Sequence, residues 1–232
     1  MFLFTGTCIL CDISSHRKQD LCLKCESGLP WLQKACPRCG LPFKGIYENV
    51  HECGQCLQNL MPFDKTIALF YYKKPIDNMI TALKFANKLI YAKIFGDLLG
   101  EKLQEHYKYN KLPELIIPVP LHKKRLQERG FNQALEITRP IAKKLHLSID
   151  FKSCQRIKYT KPQALISSKE RLENIKKAFV VNKKFHAKHV AIIDDVMTTG
   201  NTVKELSKAL RCQGVRNIDV WCCARTIPNI GL

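Results

Sequence analysis

Two sets of residues in this chain have the types and spacing to do chemistry. The first is sulfur. Eight of the twelve cysteines form four C-x-x-C pairs: Cys8/Cys11, Cys22/Cys25, Cys36/Cys39 and Cys53/Cys56. Two thiolates three positions apart on a tight turn can point at one tetrahedral ion, and two such pairs complete a four-cysteine site for structural Zn2+. The spacers are 10, 10 and 13 residues, with Pro37, Gly40 and Gly54 where knuckle turns need them. Pairing in chain order gives one site on Cys8, Cys11, Cys22 and Cys25 and a second on Cys36, Cys39, Cys53 and Cys56. An interleaved pairing fits the same spacing. A redox or disulfide module is the competing reading, and fourfold repetition of the pair weighs against it.

The second set is the segment 192–202, IIDDVMTTGNT. An apolar strand, two acids, small hydroxyl residues around a glycine and then a helix describe a loop that holds a sugar phosphate. Helix N-termini expose unpaired backbone N–H groups to anions. Gly200 lets the backbone close around one, and Thr198, Thr199, Asn201 and Thr202 add hydroxyl and amide partners. Adjacent acids repel a bare phosphate. Asp194 and Asp195 make sense if they grip the hydroxyls of a sugar whose phosphate lies further along, against Val196, Met197 and the residues that follow. The bland alternative is an acidic turn before an ordinary capped helix.

The elements that must position these residues change character near residue 60. Before it, cysteines are dense and regular periodicity is scarce. After it, helical and extended patterns alternate. A strand is expected over 66–72. Ile76, Met79, Ile80 and Leu83, then Leu89, Ile90, Ile94, Leu98 and Leu99, keep helical spacing to about His106. A short buried strand follows at 115–119, then a helix over 131–145 that Pro140 should kink or interrupt. Ser167 and Glu170 have capping-box spacing, which starts a helix at Ser168. A strand over 190–194 ends in the two acids. Val203, Leu206 and Leu210 form one helix face that Gly214 can stop, and Ile218, Val220, Cys222 and Ala224 alternate as a last strand. Strands interleaved with helices predict an α/β fold with a parallel sheet. The domains expected are a zinc-binding module over 1–60 and the sheet domain over 61–232. Cys154, Cys212, Cys222 and Cys223 lack paired spacing and are read as core residues.

The charge is uneven. Residues 1–60 carry six basic and five acidic groups, a net of +1, whereas 61–232 carry 32 and 15, a net of +17. Eight thiolates and two Zn2+ take the first module from +1 to −3, a poor clamp for nucleic acid. The positive field of the second module suits polyanions: phosphates, nucleic acid or an acidic membrane surface. No apolar run approaches the roughly 18 residues of a membrane span. The apolar start, MFLFTGTCIL, lacks a basic leader and is read as mature fold. Cysteines used for metal fit a reducing cytoplasm, and the charge adds the inner face of the membrane as a second location.

The segment 192–202 resembles the 5-phosphoribosyl 1-diphosphate (PRPP) signature of type I phosphoribosyltransferases. That resemblance implies that Asp194 and Asp195 hold the ribose 2′- and 3′-hydroxyls and that Met197, Thr198, Thr199, Gly200, Asn201 and Thr202 wrap the 5′-phosphate. Pro118, Val119, Pro120 and Leu121 follow a short strand, where that family places its pyrophosphate loop. His122, Lys123, Lys124, Arg125 and Arg129 come next, a cluster that alone would read as a solvated face. Beside such a loop it becomes a diphosphate clamp, with Lys124 or Arg125 on the diphosphate and Mg2+ bridging it. More widely, the chain resembles the ComF/ComFC family of competence proteins. The resemblance rests on the zinc pairs, LKF at 83–85, RGFNQA at 129–134, Arg156, Thr160, Gln163, Arg171, Asn174, Ala178-Phe179 and WCCART at 221–226. It spans nearly the whole chain and implies a type I phosphoribosyltransferase-like sheet with an N-terminal double zinc ribbon. It also implies a role in natural transformation, handling single-stranded DNA in the cytoplasm beside other DNA-uptake or recombination proteins. Arg129, Arg156, Thr160 and Gln163 then belong to a mobile loop over the site.

Three functions remain open. An active phosphoribosyltransferase would need no dedicated nucleophile, since positioning and charge neutralisation by Asp194, Asp195 and the cations carry the reaction. No acceptor pocket is recognisable, and Phe2 with a zinc-bearing N-terminus excludes glutamine-dependent amination. A DNA-processing adaptor would use PRPP as a sensed ligand. It would hold single strands with Lys73, Lys74, Lys123, Lys124, Arg125, Arg129, Lys158 and Lys161, and with aromatics among them: Phe70, Tyr71, Tyr72 and Tyr159. A scaffold led by the zinc ribbons is the third.

Overall fold

A computed structural model of the chain describes residues 6–43, 51–159 and 175–227. In chain order the elements are α1 (Leu23–Ser27), α2 (Gly54–Gln58), β1 (Lys65–Tyr71), α3 (Ile76–Phe85), α4 (Ile90–His106), β2 (Leu115–Pro118), α5 (Lys123–Arg129), α6 (Gln133–Leu145), β3 (Ser148–Ile149), β4 (Cys154–Arg156), β5 (Phe179–Val181), β6 (His189–Met197), α7 (Asn201–Cys212) and β7 (Asn217–Arg225). Five strands form a sheet in the order β1-β7-β6-β2-β3, and every pairing in it is parallel. β4 and β5 make a separate antiparallel pair. The expected α/β architecture, a parallel sheet flanked by helices with a small cysteine module in front, is the one observed.

The central strands are buried on both faces, so they read as continuous apolar runs. Alternation still assigns each residue a side. Ala191 and Ile193 of β6, with Trp221 and Cys223 of β7, pack in one cluster with α3, α4 and α6. Val190 and Ile192, with Ile218, Val220 and Cys222, pack in another with Val203, Leu206 and Leu210 of α7. Of the four unpaired cysteines, Cys154, Cys222 and Cys223 are core residues as expected, whereas Cys212 is exposed near the end of α7.

Three expectations need correction. The helical spacing of 76–106 is two helices, because Asn87 turns into the left-handed region at φ 53°; asparagine visits that region more readily than most residues. The break lets Lys84 at the end of α3 face the sheet's carboxyl edge while α4 packs on α6. Second, α6 runs through Pro140. The ring lies where α4 comes closest: a Cβ on Gly96 would sit 2.6 Å from the Ile137 carbonyl oxygen and 2.8 Å from Pro140 Cγ. Third, β6 does not stop at the two acids but pairs with β7 as far as Met197, opposite Arg225. The carboxylates are therefore strand residues with fixed directions. The helix expected from Ser168 lies outside the described residues.

The cysteine module has no core of its own size and leans on the sheet. Cys8, Leu21 and Leu29 are buried in the same cluster as α3 and α4. The segment 30–32 runs beside β1: Leu32 N–H donates to the Leu69 carbonyl at 2.9 Å, Tyr71 N–H donates to that of Pro30 at 2.9 Å, and Trp31 bridges Phe70. The module thereby covers an edge strand that would otherwise expose a row of unpaired backbone groups. At the far end of the sheet, Asp219 is buried and held by His189 Nε2 at 3.0 Å, the Tyr107 hydroxyl at 2.5 Å and Lys65 Nζ at 3.7 Å.

The Gly96 contact is testable. Gly96→Ala forces backbone apart at the α4–α6 crossing and should cost about 1–3 kcal/mol, the range for overpacking a tight core. Gly28→Ala, where a Cβ meets nothing nearer than 3.6 Å, is the control. Chemical denaturation of both variants checks this, and equal midpoints would show that the crossing is looser than described.

Candidate functional site

The carboxyl ends of β6 and β2, the N-terminus of α7 and the end of α3 enclose a cavity of about 360 Å3. β6 delivers the acids. Asp195 faces the α3–α6 side, where it pairs with Lys84 and accepts a hydrogen bond from Gln133 Nε2 at 3.3 Å. Its carboxyl would be raised by burial, but the charge and hydrogen bond of Lys84, helped by Gln133 and Asp194, outweigh this and hold it below the usual range. Asp194 is left to the cavity, and its Oδ1 accepts from the backbone N–H of Asp195 at 3.0 Å. Burial, and then the charge on Asp195, push the Asp194 carboxyl well above the ordinary carboxylate value. Two adjacent acids are thus split into an ionised member and one that takes up the proton first.

The anion side of the cavity is built from backbone. Gly200 caps α7 with φ +76°, a conformation in which a Cβ would be strained. Gly200 itself offers no side chain to cap this helix. Of its first N–H groups, that of Asn201 donates to Thr199 Oγ1 at 3.4 Å, and those of Thr202 and Val203 have no acceptor within the helix. Met197, Thr198, Gly200, Asn201 and Thr202 line the cavity; Thr199 is exposed and does not. Across from them, Val119 and Leu121 line it and Pro120 does not. The Val119 loop is held by its N–H on the Ile193 carbonyl at 2.8 Å and by Asn132 Nδ2, which donates to the Val119 carbonyl at 3.1 Å. Asn132 also caps α6.

Among the described residues, four cations reach the cavity: Lys84, Arg125, Arg129 and Arg156. Against two carboxylates, one of them inclined to protonate, the balance is positive. Arg129 sits over the Phe85 ring at 5.6 Å and donates to Gln133. Arg156 lies over Phe179, and burial followed by the charge on Arg125 lowers its pKa. Neither belongs to a loop, contrary to expectation: Arg129 ends α5 and Arg156 lies on β4. Lys124 points elsewhere, over the Tyr159 ring at 5.8 Å, so Arg125 is the member of that cluster facing the site. Thr160, Lys161 and Gln163 lie outside the described residues.

Lys84 and Gln133 line the cavity and contact Asp195, which spacing did not reveal, although each stands within a quoted motif, LKF and RGFNQA. Of the aromatic cluster before Lys73 and Lys74, Phe70 is fully buried against Trp31, which removes it from any base-stacking surface. Tyr72 lines the cavity mouth. Lys73, Lys74, Lys123 and Lys158 are exposed.

The cysteines gather in two sets, Cys8, Cys11, Cys22, Cys25 and Cys36, Cys39, Cys53, Cys56, each with its sulfurs within 4.8 Å of one another. The chain-order pairing therefore holds and the interleaved one does not. Tetrahedral Zn–S bonds of about 2.3 Å place sulfurs roughly 3.8 Å apart; Cys11 and Cys22 are at 3.8 Å, Cys39 and Cys53 at 3.6 Å. The donor set fits two structural Zn2+. Hydrogen bonding from Cys39 and backbone N–H groups pull the Cys36 thiol down to about 4, while burial pushes Cys56 up to about 12. Such crowded thiols cannot all ionise without a cation among them.

Residues 1–57 match the double zinc ribbon domain family. Among solved structures, adenine phosphoribosyltransferase from Leishmania tarentolae is similar over 63% of this chain and 62% of its own, at 16% identity and a TM-score of 0.39. A hypoxanthine phosphoribosyltransferase from Staphylococcus aureus covers 60% and 73%, at 18% identity and 0.35. Among curated proteins, competence protein F of Haemophilus influenzae is 34% identical over 97% of this chain and 99% of its own length. DNA utilization protein YhgH of Escherichia coli K12 is 31% identical over 98% and 100%. Competence protein ComFC of Streptococcus pneumoniae is 25% identical over 68% and 67%. With full-length identity above 30% to the first two, and with both four-cysteine sets in place, this chain belongs to the competence protein F/DNA utilization protein YhgH family.

Proposed function

We propose that the protein binds PRPP in this cavity and handles single-stranded DNA during natural transformation, in the cytoplasm or at the inner face of the membrane. One observation carries the ligand: a carboxylate pair, a helix N-terminus with glycine at its cap and four cations converge on one cavity of about 360 Å3. A ribose 5-phosphate places its hydroxyls on Asp194 and Asp195 and its phosphate on the N–H groups behind Gly200. Arg125, Arg129 and Arg156 then face the diphosphate. Mg2+ bound with the diphosphate would neutralise its charge further, and Asp194 is a cavity carboxylate that could help hold it. Sugar hydroxyls would also stabilise Asp194, by donating to a carboxylate whose ionisation burial and Asp195 oppose.

The DNA reading rests on the basic rim. Lys73 and Lys74 follow Tyr72 at the cavity mouth, and Lys123 and Lys124 stand on α5 beside Tyr159. Backbone neutralisation with occasional stacking holds single strands without sequence preference. A transferase reading is favoured by the arginines around the diphosphate position, and pyrophosphate release with an acceptor present would separate transfer from sensing.

Calorimetric titration with PRPP and Mg2+ should show one site, abolished by Asp194→Ala with Asp195→Ala; equal affinity in the double variant would rule this cavity out. A second test uses the raised carboxyl. The folded pKa of Asp194 exceeds its ordinary 3.8, so its stabilising contribution is complete below that value and lost as pH climbs through the raised one. Asp194→Asn should therefore raise the melting temperature of the empty protein at pH 7 by about 2–4 °C, roughly 1 kcal/mol for a chain of this size. The gain should vanish near pH 4 while PRPP binding weakens. A variant that melts below wild type at pH 7 would show that Asp194 is not the strained member. For DNA, log affinity should fall with log salt, and Lys123→Gln with Lys124→Gln should flatten the slope by about 1.4, two contacts at roughly 0.7 each. An unchanged slope would move the strand off α5.

A further inference from the structure

Arg225, the last residue of β7, is 5% exposed, and its guanidinium donates to four backbone carbonyls. Nε donates to the Cys39 carbonyl at 3.1 Å; Nη1 donates to those of Met197 at 3.0 Å, Thr198, and Thr226 at 3.1 Å. One side of this guanidinium is therefore the turn of the second zinc set, and the other is the start of the phosphate-binding loop. That turn is itself fixed to the sheet. Thr66 N–H donates to the Pro37 carbonyl at 2.8 Å and Thr66 Oγ1 to that of Arg38 at 2.6 Å. A Cβ on Gly40 would lie 2.8 Å from Thr66 Cγ2, so the turn presses directly onto β1. The first zinc set packs instead against the cluster of α3 and α4.

From this geometry we infer that Arg225 is a positioning residue coupling the second zinc set, Cys36, Cys39, Cys53 and Cys56, to the anion-binding loop. Zinc holds the 36–40 turn in shape. The turn fixes the guanidinium through Cys39, and the guanidinium holds the carbonyls of Met197 and Thr198. Those two carbonyls share their peptide planes with the N–H groups of Thr198 and Thr199, so holding them fixes how the start of the loop is oriented. A fixed cation beneath the loop also favours an anion above it. Coupling is reciprocal: zinc in the second set tightens phosphate binding, and a bound phosphate slows loss of that zinc. The first set does neither.

The ligand part rests on the PRPP reading; the coupling does not. Its test is backbone hydrogen exchange across 197–204 in the full zinc-loaded chain, with zinc content and melting temperature measured alongside. Arg225→Gln should speed exchange in that segment while both zinc ions stay bound. Cys56→Ser should speed it as much, and combining the two should add little, because both break one connection. Cys25→Ser, which opens the first set, should leave the segment unchanged. Arg225→Lys, with one point donor in place of the fork, should fall between Gln and wild type. Where PRPP binds wild type, Arg225→Gln should weaken it about tenfold, within the usual 5–150-fold range of coupling, and PRPP should slow release of one zinc of the two to a chromophoric chelator, an effect lost in Arg225→Gln. The coupling is wrong if Arg225→Gln leaves exchange at 197–204 unchanged, or if it and Cys56→Ser act additively. Should Cys56→Ser not fold, zinc release without any ligand decides beside the exchange of Arg225→Gln: that variant should lose one zinc of the two faster than wild type, and an unchanged rate overturns the coupling. Absent PRPP binding with the exchange pattern intact would sink the ligand and leave the coupling standing.

Discussion

Two carboxylates on consecutive residues of a strand buried on both faces set a severe constraint. Inside the sheet, like charges a few ångströms apart cannot both ionise unless something cationic lies within reach. Alternation along β6 provides the way out, since Asp194 and Asp195 face opposite sides. Asp195 turns toward α3 and α6, where Lys84 and Gln133 meet it. Both line the cavity, and Asp194 carries the unresolved strain. Much of the surrounding layout follows. α3 has to end at the sheet's carboxyl edge so that Lys84 arrives there, which the turn at Asn87 permits. α6 has to begin there so that Gln133 does, and Asn132 caps it while holding the Val119 loop.

The cysteine module answers a different constraint. It is too small to bury a core, so metal takes the place of one. Two Zn2+ organise the turns, but the surface these turns present is used on the sheet. The 30–32 segment covers the open edge of β1, Cys8 and Leu21 complete the core under α4, and the 36–40 turn reaches the phosphate loop through Arg225. A module carrying −3 with its zinc sits against a neighbour carrying +17. The attraction runs in the right direction, although hydrogen bonds and packing, not net charge, define where the module docks.

What was legible in the sequence divides along contiguity. The loop that lines the cavity at 196–202 and the zinc pairs are local patterns, so residue types and short spacings single them out. Lys84 and Gln133 reach Asp195 from 111 and 62 positions away, and no spacing rule joins them. Arg225 is harder still. Its partners are backbone carbonyls, which any residue supplies, so nothing in the sequence marks Cys39 or Thr198 as an acceptor. The helix break at Asn87 was hidden because apolar spacing continues across it. Pro140 misled in the other direction, since local propensity forbids what packing against Gly96 tolerates. The apparent aromatic stripe before Lys73 failed because strand alternation and burial by Trp31 decide which ring is accessible.

The cavity is expensive to keep. It holds a carboxylate that resists ionising, three arginines crowded so that burial and mutual repulsion lower two of them, and a helix end with a glycine at its cap. A protein selected for stability alone would replace these with apolar residues and a capping serine. Sites that break local rules together, in one cavity, are retained because a ligand resolves them together. A ligand with hydroxyls at one end and several anionic oxygens at the other resolves all three at once. A nucleic-acid backbone, which offers only evenly spaced single charges, satisfies the arginines and gives Asp194 no hydroxyl donor. In the proposed reading the cavity is therefore PRPP's and the strand keeps to the lysines of the rim, so that the two polyanions meet through Arg125 and Arg129, the cations that belong to both.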